Sequence, residues 1–283
     1  MADSYQPSSQ GSNLPKYFHH LSQTYPRQTG NSTRNLFAQI AHRVAPILSD
    51  SIIHDNASGP GTATGVILSN LPPDVHPQIV ATDMVPAMID AFKSTEFPGI
   101  NPNHITGIVM KSETLAFPAN HFTHSLTNFS VFNFADPSIC VREIHRTLKP
   151  SGQAVITTWK RFGIGEVVHE TQRRVRPDLP LMKFSGPDMY SADAVVDVML
   201  RSGFARDKID FVSMETVATG EDLDGLRAFA EGPFTESARR GWTEEEKDRW
   251  GVVLGDVLEE ERERFGGVRF EGWAVVATKG DEQ

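Results

Sequence analysis

The stretch Ser51-Ile-Ile-His-Asp-Asn-Ala-Ser-Gly-Pro-Gly-Thr-Ala-Thr-Gly65 decides the fold. Two β-branched residues lead into Asp55, a short glycine-containing turn follows, and a helix-permissive run continues to Asn70. Strand, tight loop and helix start, in that order, form the first unit of a nucleotide-binding α/β sheet. Gly59 and Gly61 let the backbone turn sharply and sit close to a ligand, where a Cβ would collide. The loop N–H groups and the helix N-terminus then favour a bound carboxylate or phosphate. Asp55, at the strand end, is placed to accept hydrogen bonds from a ligand ammonium or hydroxyl. The glycine spacing, G-x-G-x-x-x-G with Ala57 where a further glycine is often found, is not that of the dinucleotide fingerprint. A plain strand-to-helix turn would read much the same, so the flanking chain decides the matter.

Downstream, Pro72, Pro73 and Pro77 mark a connection, and Gln78-Ile-Val-Ala-Thr-Asp83 reads as a second strand ending in an acid. An acid about twenty residues beyond a glycine loop suits the two hydroxyls of a ribose. Asp83 equally suits the N-cap of a helix over 85–93. A third strand is expected over 105–110, a fourth over 124–129 and a fifth over 153–159. Asp136-Pro137 starts the helix between the last two, and Arg146 and Lys149 near its end complement the helix dipole. Strand and helix alternate, which predicts a parallel sheet with helices on both faces and ligands outside the strand C-termini. Those ends carry Asp55, Asp83, Lys111, Phe129 and Trp159.

Beyond residue 160 the pattern changes. Residues 162–180 mix a short helix with a basic, proline-containing connection. A helix is expected over 191–202 and a strand over 208–214. Helices over 221–241 and 243–264 precede a last strand over 270–278. The prediction is therefore a three-layer, Rossmann-like α/β fold: a seven-stranded, mostly parallel sheet with an antiparallel last strand, N-terminal helices and a helical insertion before that strand. Upstream, composition reads as a disordered tail over 1–16. A short helix is ended by Pro26. Ser32 or Thr33 caps a helix over 34–48, whose Leu36, Ile40, Val44 and Leu48 recur every four residues, with Pro46 kinking or ending its last turn.

Composition narrows the partners. The 283 residues carry 27 basic and 36 acidic side chains, a formal charge of −9, against the basic surfaces that nucleic acid and acidic membranes select. No apolar run approaches a membrane span. The N-terminus has no apolar signal core, and the single Cys140 cannot form an intrachain disulfide, so the expected compartment is the cytosol. Oligomeric state is left open.

The runs Phe122-Thr-His-Ser-Leu-Thr-Asn-Phe129, Ala135-Asp-Pro137 and Arg142-Glu-Ile-His-Arg-Thr-Leu-Lys-Pro-Ser-Gly152 resemble the class I S-adenosylmethionine-dependent methyltransferases. Asp55-Asn-Ala-Ser-Gly-Pro-Gly61 resembles the first motif of that family, and Thr82-Asp83-Met84 its second. Tyr25 with Thr29 and Gly30 resembles its N-terminal contact to the methionine part of the cofactor. The resemblance covers roughly 17–160. It is nearest to fungal secondary-metabolite methyltransferases, among them the bis-thiomethyltransferase acting on gliotoxin. It implies a helical lid over 17–50, a cofactor-binding core over 51–160 and substrate-side elements over 161–283. It also implies cofactor contacts by Tyr25, Thr29, Gly30, Asp55, Asn56, Ala57, Gly59, Gly61, Asp83, Met84, Asn128 and Phe129. Many members begin the loop after the third strand with an Asp for the adenine amino group. This sequence has Lys111 there, leaving Ser112, Glu113 or backbone for that role.

The implied cofactor, S-adenosyl-L-methionine, carries an electrophilic methyl, so transfer calls for in-line positioning and exclusion of water, and neither a metal nor an enzyme nucleophile. A base is needed if the acceptor is protonated at neutral pH, and His19 and His20 on the N-terminal helix are the candidates. His54 and His124 read as structural, and His169-Glu170 as groups able to approach the pocket. Phe132, Trp159, Phe162 and Phe229 form the expected apolar wall for a small-molecule acceptor, with Phe234 and Trp242 contributed by the insertion. Phe122 and Phe134 read as core. Two other functions fit less of the chain: a non-catalytic S-adenosylmethionine-binding regulator, and a nicotinamide-dependent oxidoreductase in which the Leu-Lys-Pro-x-Gly run has no role.

Overall fold

Val155 and Ala274 face one side of a central sheet while Ala154, Ile156 and Val275 face the other, the period of two that a sheet covered on both faces requires. The structure is a computed structural model that describes residues 18, 19, 22 and 24–281. The tail expected over 1–16 and the candidate His20 lie outside the described residues. The strands are β1 (Ile52–Asn56), β2 (Gln78–Asp83), β3 (Ile105–Val109), β4 (Phe122–Thr127), β5 (Leu148–Arg161), β6 (Ile209–Ala218) and β7 (Val268–Thr278). They form one seven-stranded sheet in the order β3-β2-β1-β4-β5-β7-β6. Pairing is parallel from β3 through β5, and β7 runs antiparallel to both β5 and β6. The order reverses between β1 and β4, which opens a crevice at their C-terminal ends.

The helices are α1 (Tyr25–Gln28), α2 (Ser32–Ile40), α3 (Thr62–Ser69), α4 (Pro86–Ser94), α5 (Pro137–Thr147), α6 (Gly163–Val175), α7 (Ala192–Arg201), α8 (Glu221–Glu231) and α9 (Glu244–Phe265). One core layer joins Leu36 and Phe37 of α2 to Ile53, Ile79, Val167 and Leu226. The other joins Val141 and Ile144 of α5 to Val195 and Met199 of α7. Gln39 of α2 reaches the outer strand β6, its Nε2 donating to the Glu215 carbonyl at 2.7 Å, which occupies part of an otherwise open edge. No helix among the described residues is long and apolar enough to cross a membrane.

Several boundaries differ from the expected ones. Asn31, at φ 49°, is the N-cap of α2, so Ser32 and Thr33 lie inside the helix and neither caps it. The Ser32 hydroxyl donates to the Thr29 carbonyl instead. This helix stops at Ile40, passes through a 3₁₀ turn (Ala41–Arg43) and gives way to extended backbone at Val44. Pro46 lacks an N–H and disfavours helix before it, so the apolar stripe breaks and Leu48 is 58% exposed. Helix α4 starts at Pro86 with Val85 as an extended N-cap, and Asp83 is not the N-cap but accepts the N–H of Val85. The helix expected over 221–241 breaks at Gly232-Pro233 into α8 and a 3₁₀ turn (Pro233–Arg239). Arg173 and Arg174, within the stretch over 162–180 expected to mix a short helix with a basic connection, stand on α6.

Candidate active site

The C-terminal ends of β1 and β2 bring two carboxylates into the crevice. Asp55 is 1% exposed. Its Oδ2 accepts from the Thr64 hydroxyl at 2.6 Å and from the Thr64 N–H at 3.2 Å, which ties β1 to the first turn of α3. Its Oδ1 is buried without a hydrogen-bond partner. Burial pushes this carboxyl up to about 7; the Thr64 hydrogen bonds oppose the shift and the charge of Asp83 adds to it. Asp83 accepts from the Gly59 N–H at 3.0 Å and the Val85 N–H at 2.9 Å. Its carboxyl is also raised by burial, against those two bonds. A buried carboxylate with an unused oxygen and a second acid nearby is a site short of positive charge. It suits a ligand bearing an ammonium or sulfonium.

The turn between these acids is shaped differently from the sequence expectation. A Cβ on Gly61, at φ +93°, would meet the Phe97 ring at 2.6 Å and the Phe92 ring at 2.8 Å. Glycine is therefore required there by aromatic packing from the α4 side. Gly59 has room, with only the Met88 sulfur at 3.9 Å, so its value lies in its left-handed φ of +54° and in the N–H it gives Asp83. Ala57 holds φ +51°, a conformation that costs an L-residue about 1–2 kcal/mol. Phe129, at the end of β4, holds φ +49° and is fixed by the Thr157 hydroxyl, which accepts its N–H at 2.8 Å and donates to Asn128 Oδ1 at 2.8 Å.

The loop after β3 is clamped from α5. Glu143 accepts from the Leu115 N–H at 3.0 Å, and Arg146 donates to the Leu115 and Phe117 carbonyls at 2.8 Å each while pairing with Glu143. This gives the Glu-Ile-His-Arg run its structural purpose. Lys111 is exposed and Glu113 half-buried, whereas Ser112 is buried and donates to Asn56 Oδ1 at 2.9 Å. Asn56 in turn donates to the Thr127 hydroxyl at 3.2 Å. Met84, 48% exposed, offers an apolar surface beside Asp83.

Tyr25, Thr29 and Phe129 line a second compartment, a cavity of about 80 Å³ walled mostly by aromatic rings. Trp159 is its centre: the Phe129 ring lies 4.2 Å away, Phe162 at 5.2 Å and Phe270 at 5.7 Å. The expected wall residues Phe132, Trp159, Phe162 and Phe229 all line it, as does Phe234 from the turn after α8. Phe184 and Tyr190, which the sequence reading did not single out, complete it. They sit in a loop without periodicity, so nothing local marks them. None of the described lining residues carries a charged side chain at neutral pH. The Tyr25 phenol, bonded to Thr33, is pushed up to about 12 by burial, opposed by that bond.

Other candidates lie elsewhere. Trp242 packs on Trp250 at 5.6 Å, in the core. His169 gives Nε2 to the Met182 carbonyl at 2.7 Å, and Glu170 pairs with Arg174. Both line a charged groove of about 580 Å³ between α6 and α9 and stay outside the aromatic cavity. That groove, though larger, is crossed by ion pairs such as Arg174–Glu260 and Arg161–Glu166 and lacks the crevice residues. His19 is exposed. His54 stacks on Phe122 at 4.7 Å and bonds the Thr82 hydroxyl, with burial pressing it down to about 3, and so is structural. His124 bonds the Ala45 carbonyl and is likewise lowered by burial. Phe122 is fully buried and Phe134 packs on the same core layer, as expected of both.

The strand order, the switch-point crevice and the glycine turn define the class I methyltransferase fold. Residues 58–156 match a family model described as a methyltransferase domain. Methyltransferase tpcH of Aspergillus fumigatus is 24% identical over 290 residues, covering 94% of this chain and 98% of its own. Methyltransferase ucsB of an Acremonium species is 25% identical over 206 residues, covering 69% and 70%. Among solved structures, a protein described as a methyltransferase from an antibiotic biosynthesis pathway of Anabaena variabilis aligns with a TM-score of 0.55 at 13% identity, covering 87% of this chain and 99% of that one. The [4+2]-cyclase SpnF aligns at 0.52 and 14%, covering 88% and 81%, a likeness of fold alone. The matched domain and these relatives make the chain an S-adenosylmethionine-dependent methyltransferase similar to those of fungal secondary metabolism, and S-adenosylmethionine is its cofactor.

Proposed function

We propose that the chain methylates a small, flat, apolar acceptor of fungal secondary metabolism at sulfur, oxygen or nitrogen, by direct in-line transfer. The observation that carries this reading is a shared wall. Tyr25, whose phenol lies close enough to Asp83 to feel its charge, and Phe129, just past the end of β4, also line the aromatic cavity with Trp159 and Phe229, so two ligands bound there would adjoin. Asp83 is proposed to grip the ribose and Met84 to cover the adenine, with Ser112 and Glu113 at its edge. The free oxygen of Asp55, together with Asn56, Ala57, Gly59 and Gly61 of the turn, faces the charged end. Tyr25, Thr29, Gly30 and Asn128 close around the methionine part.

When bound, S-adenosylmethionine supplies a methyl already activated on a sulfonium. The residues of this chain hold the partners in line and keep water out. A thiol, at ~8.5, yields its proton more readily than a phenol at ~10. With no charged side chain among the described lining residues, the acceptor's own acidity matters more than an enzyme base. The single Cys140, free and buried, supports a cytosolic setting.

The test is calorimetric titration with S-adenosylmethionine and, separately, NADH, followed by transfer of a labelled methyl to flat thiols, phenols and amines. Binding of the first cofactor alone and methylation of one acceptor class is the expected result. Cofactor binding with no transfer to any class would favour the non-catalytic regulator.

A further inference from the structure

A polar corner interrupts the aromatic wall. Asn133, Ser185 and Tyr190 line the cavity, and the side chains of all three lack a hydrogen-bond partner among the described residues. By contrast, the hydroxyls of Thr29 and Ser32 are committed to backbone carbonyls and Thr33 to Tyr25, which leaves Gln28 as the other uncommitted polar side chain in the lining. An unused polar side chain in an apolar cavity is where recognition is concentrated, because its pairing is completed only by the ligand.

The corner is rigid. Gly186, at φ +50°, stands so close to the preceding loop that a Cβ would lie 2.2 Å from the Phe132 carbonyl oxygen. Its neighbours Ser185 and Tyr190 are thereby seated against Phe132 and Asn133. The Tyr190 ring meets Phe132 edge to face at 5.5 Å, and the Thr158 hydroxyl donates to the Met189 carbonyl at 2.7 Å. The hydroxyl is therefore positioned before any ligand arrives, and its ordering cost is already met by the fold.

Resting on the reading that this cavity is the acceptor site, we infer that Tyr190 orients the acceptor by donating its phenol hydrogen to an oxygen, a carbonyl or an ionised hydroxyl, carried on a flat apolar body. Burial holds this phenol well above its ordinary range, so it remains a donor across the working pH range. Asn133 and Ser185 add a second donor or acceptor to the same oxygen-bearing edge. A body bearing a carboxylate, phosphate or ammonium is disfavoured, since no described lining residue would pair with it. The acceptor class is thus an aromatic or conjugated ketone, enol or phenol.

The experiment uses acetophenone and ethylbenzene, near-isosteres that differ by a carbonyl, bound to the full chain saturated with S-adenosylhomocysteine and followed by ligand-observed NMR. Tyr190→Phe is expected to weaken acetophenone about tenfold and leave ethylbenzene and the cofactor within twofold. Equal weakening of both probes, no weakening of acetophenone, or failure of the wild type to bind either probe while it binds cofactor would each overturn the assignment of Tyr190. Failure of the wild type to bind S-adenosylmethionine is a separate result. It would remove the methyltransferase reading and this inference with it.

Discussion

The two compartments of this site are built from opposite materials. The crevice at the ends of β1 and β2 holds two buried acids, a left-handed turn and an ordered chain of side-chain hydrogen bonds through Asn56, Ser112 and Thr127. The cavity beside it, a few residues beyond the end of β4 and along β5, is a box of rings with uncharged polar groups between them. A charged, many-functioned cofactor is read by fixed donors and acceptors, each of which must be placed by backbone. An apolar acceptor is read by shape, which side chains from any element can supply. The difference explains why the first compartment comes from one continuous region of the chain and the second is assembled from both halves.

The sharpest way to break this contrast is to remove the central ring. Trp159→Ala is expected to destabilise the fold by ~3–5 kcal/mol in urea unfolding, since Trp159 is 4% exposed and packed against three tilted rings. A loss below about 1 kcal/mol would mean that the wall is loosely packed and the cavity a poor acceptor site. On the other side, Asp83→Asn removes the charge and one of two backbone acceptors. Calorimetry should show S-adenosylmethionine binding weakened ~10–100-fold. Unchanged affinity would sink the ribose assignment.

Acidity sharpens the contrast further, because the carboxyls lie in the crevice and the described lining of the cavity has none. Asp55, near 3.9 in an unfolded chain, stands at about 7 in the fold, so between those values the folded protein holds a proton that the unfolded chain does not. Its contribution to the stability of the unliganded protein is full below pH 4 and declines as pH rises through 7. A cationic ligand opposes the shift. Cofactor affinity should therefore rise between pH 5.5 and 7.5, with proton release visible as buffer-dependent binding heats. Asp55→Asn should flatten both, and a flat profile in the wild type would remove Asp55 from the site. The smallest expected effect is local. Ala57→Gly relieves the left-handed strain and gives back part of it as chain entropy, a net gain of ~0.5 kcal/mol and a Tm rise of about 1 °C. A fall in Tm would show that the Ala57 methyl makes contacts worth more than the strain.

The sheet was legible because period-two burial and strand-end acids are local signals. All seven strands were anticipated, and the Glu-Ile-His-Arg-Thr-Leu-Lys-Pro run pointed to the family before its clamp on the 111–118 loop was visible. Asp55 and Asp83 were found as strand-terminal acids, and Phe132, Trp159, Phe162 and Phe229 as ring candidates. Helix ends were less legible. Stripe spacing extended α2 to Leu48, although Pro46 had already ended it, and capping chemistry at Ser32, Thr33 and Asp83 was diverted to other partners.

By itself the sequence determined the layered α/β architecture, the cofactor class and the two acids at the strand ends, since these follow from short-range pattern and one continuous motif region. Only the tertiary structure decided which surface Gly61 accommodates, that His169 packs behind the Phe184 ring and stays outside the aromatic cavity, and that Tyr190 closes it. Each of those depends on the approach of residues far apart in the chain, and no spacing along the backbone encodes the direction in which two such side chains meet.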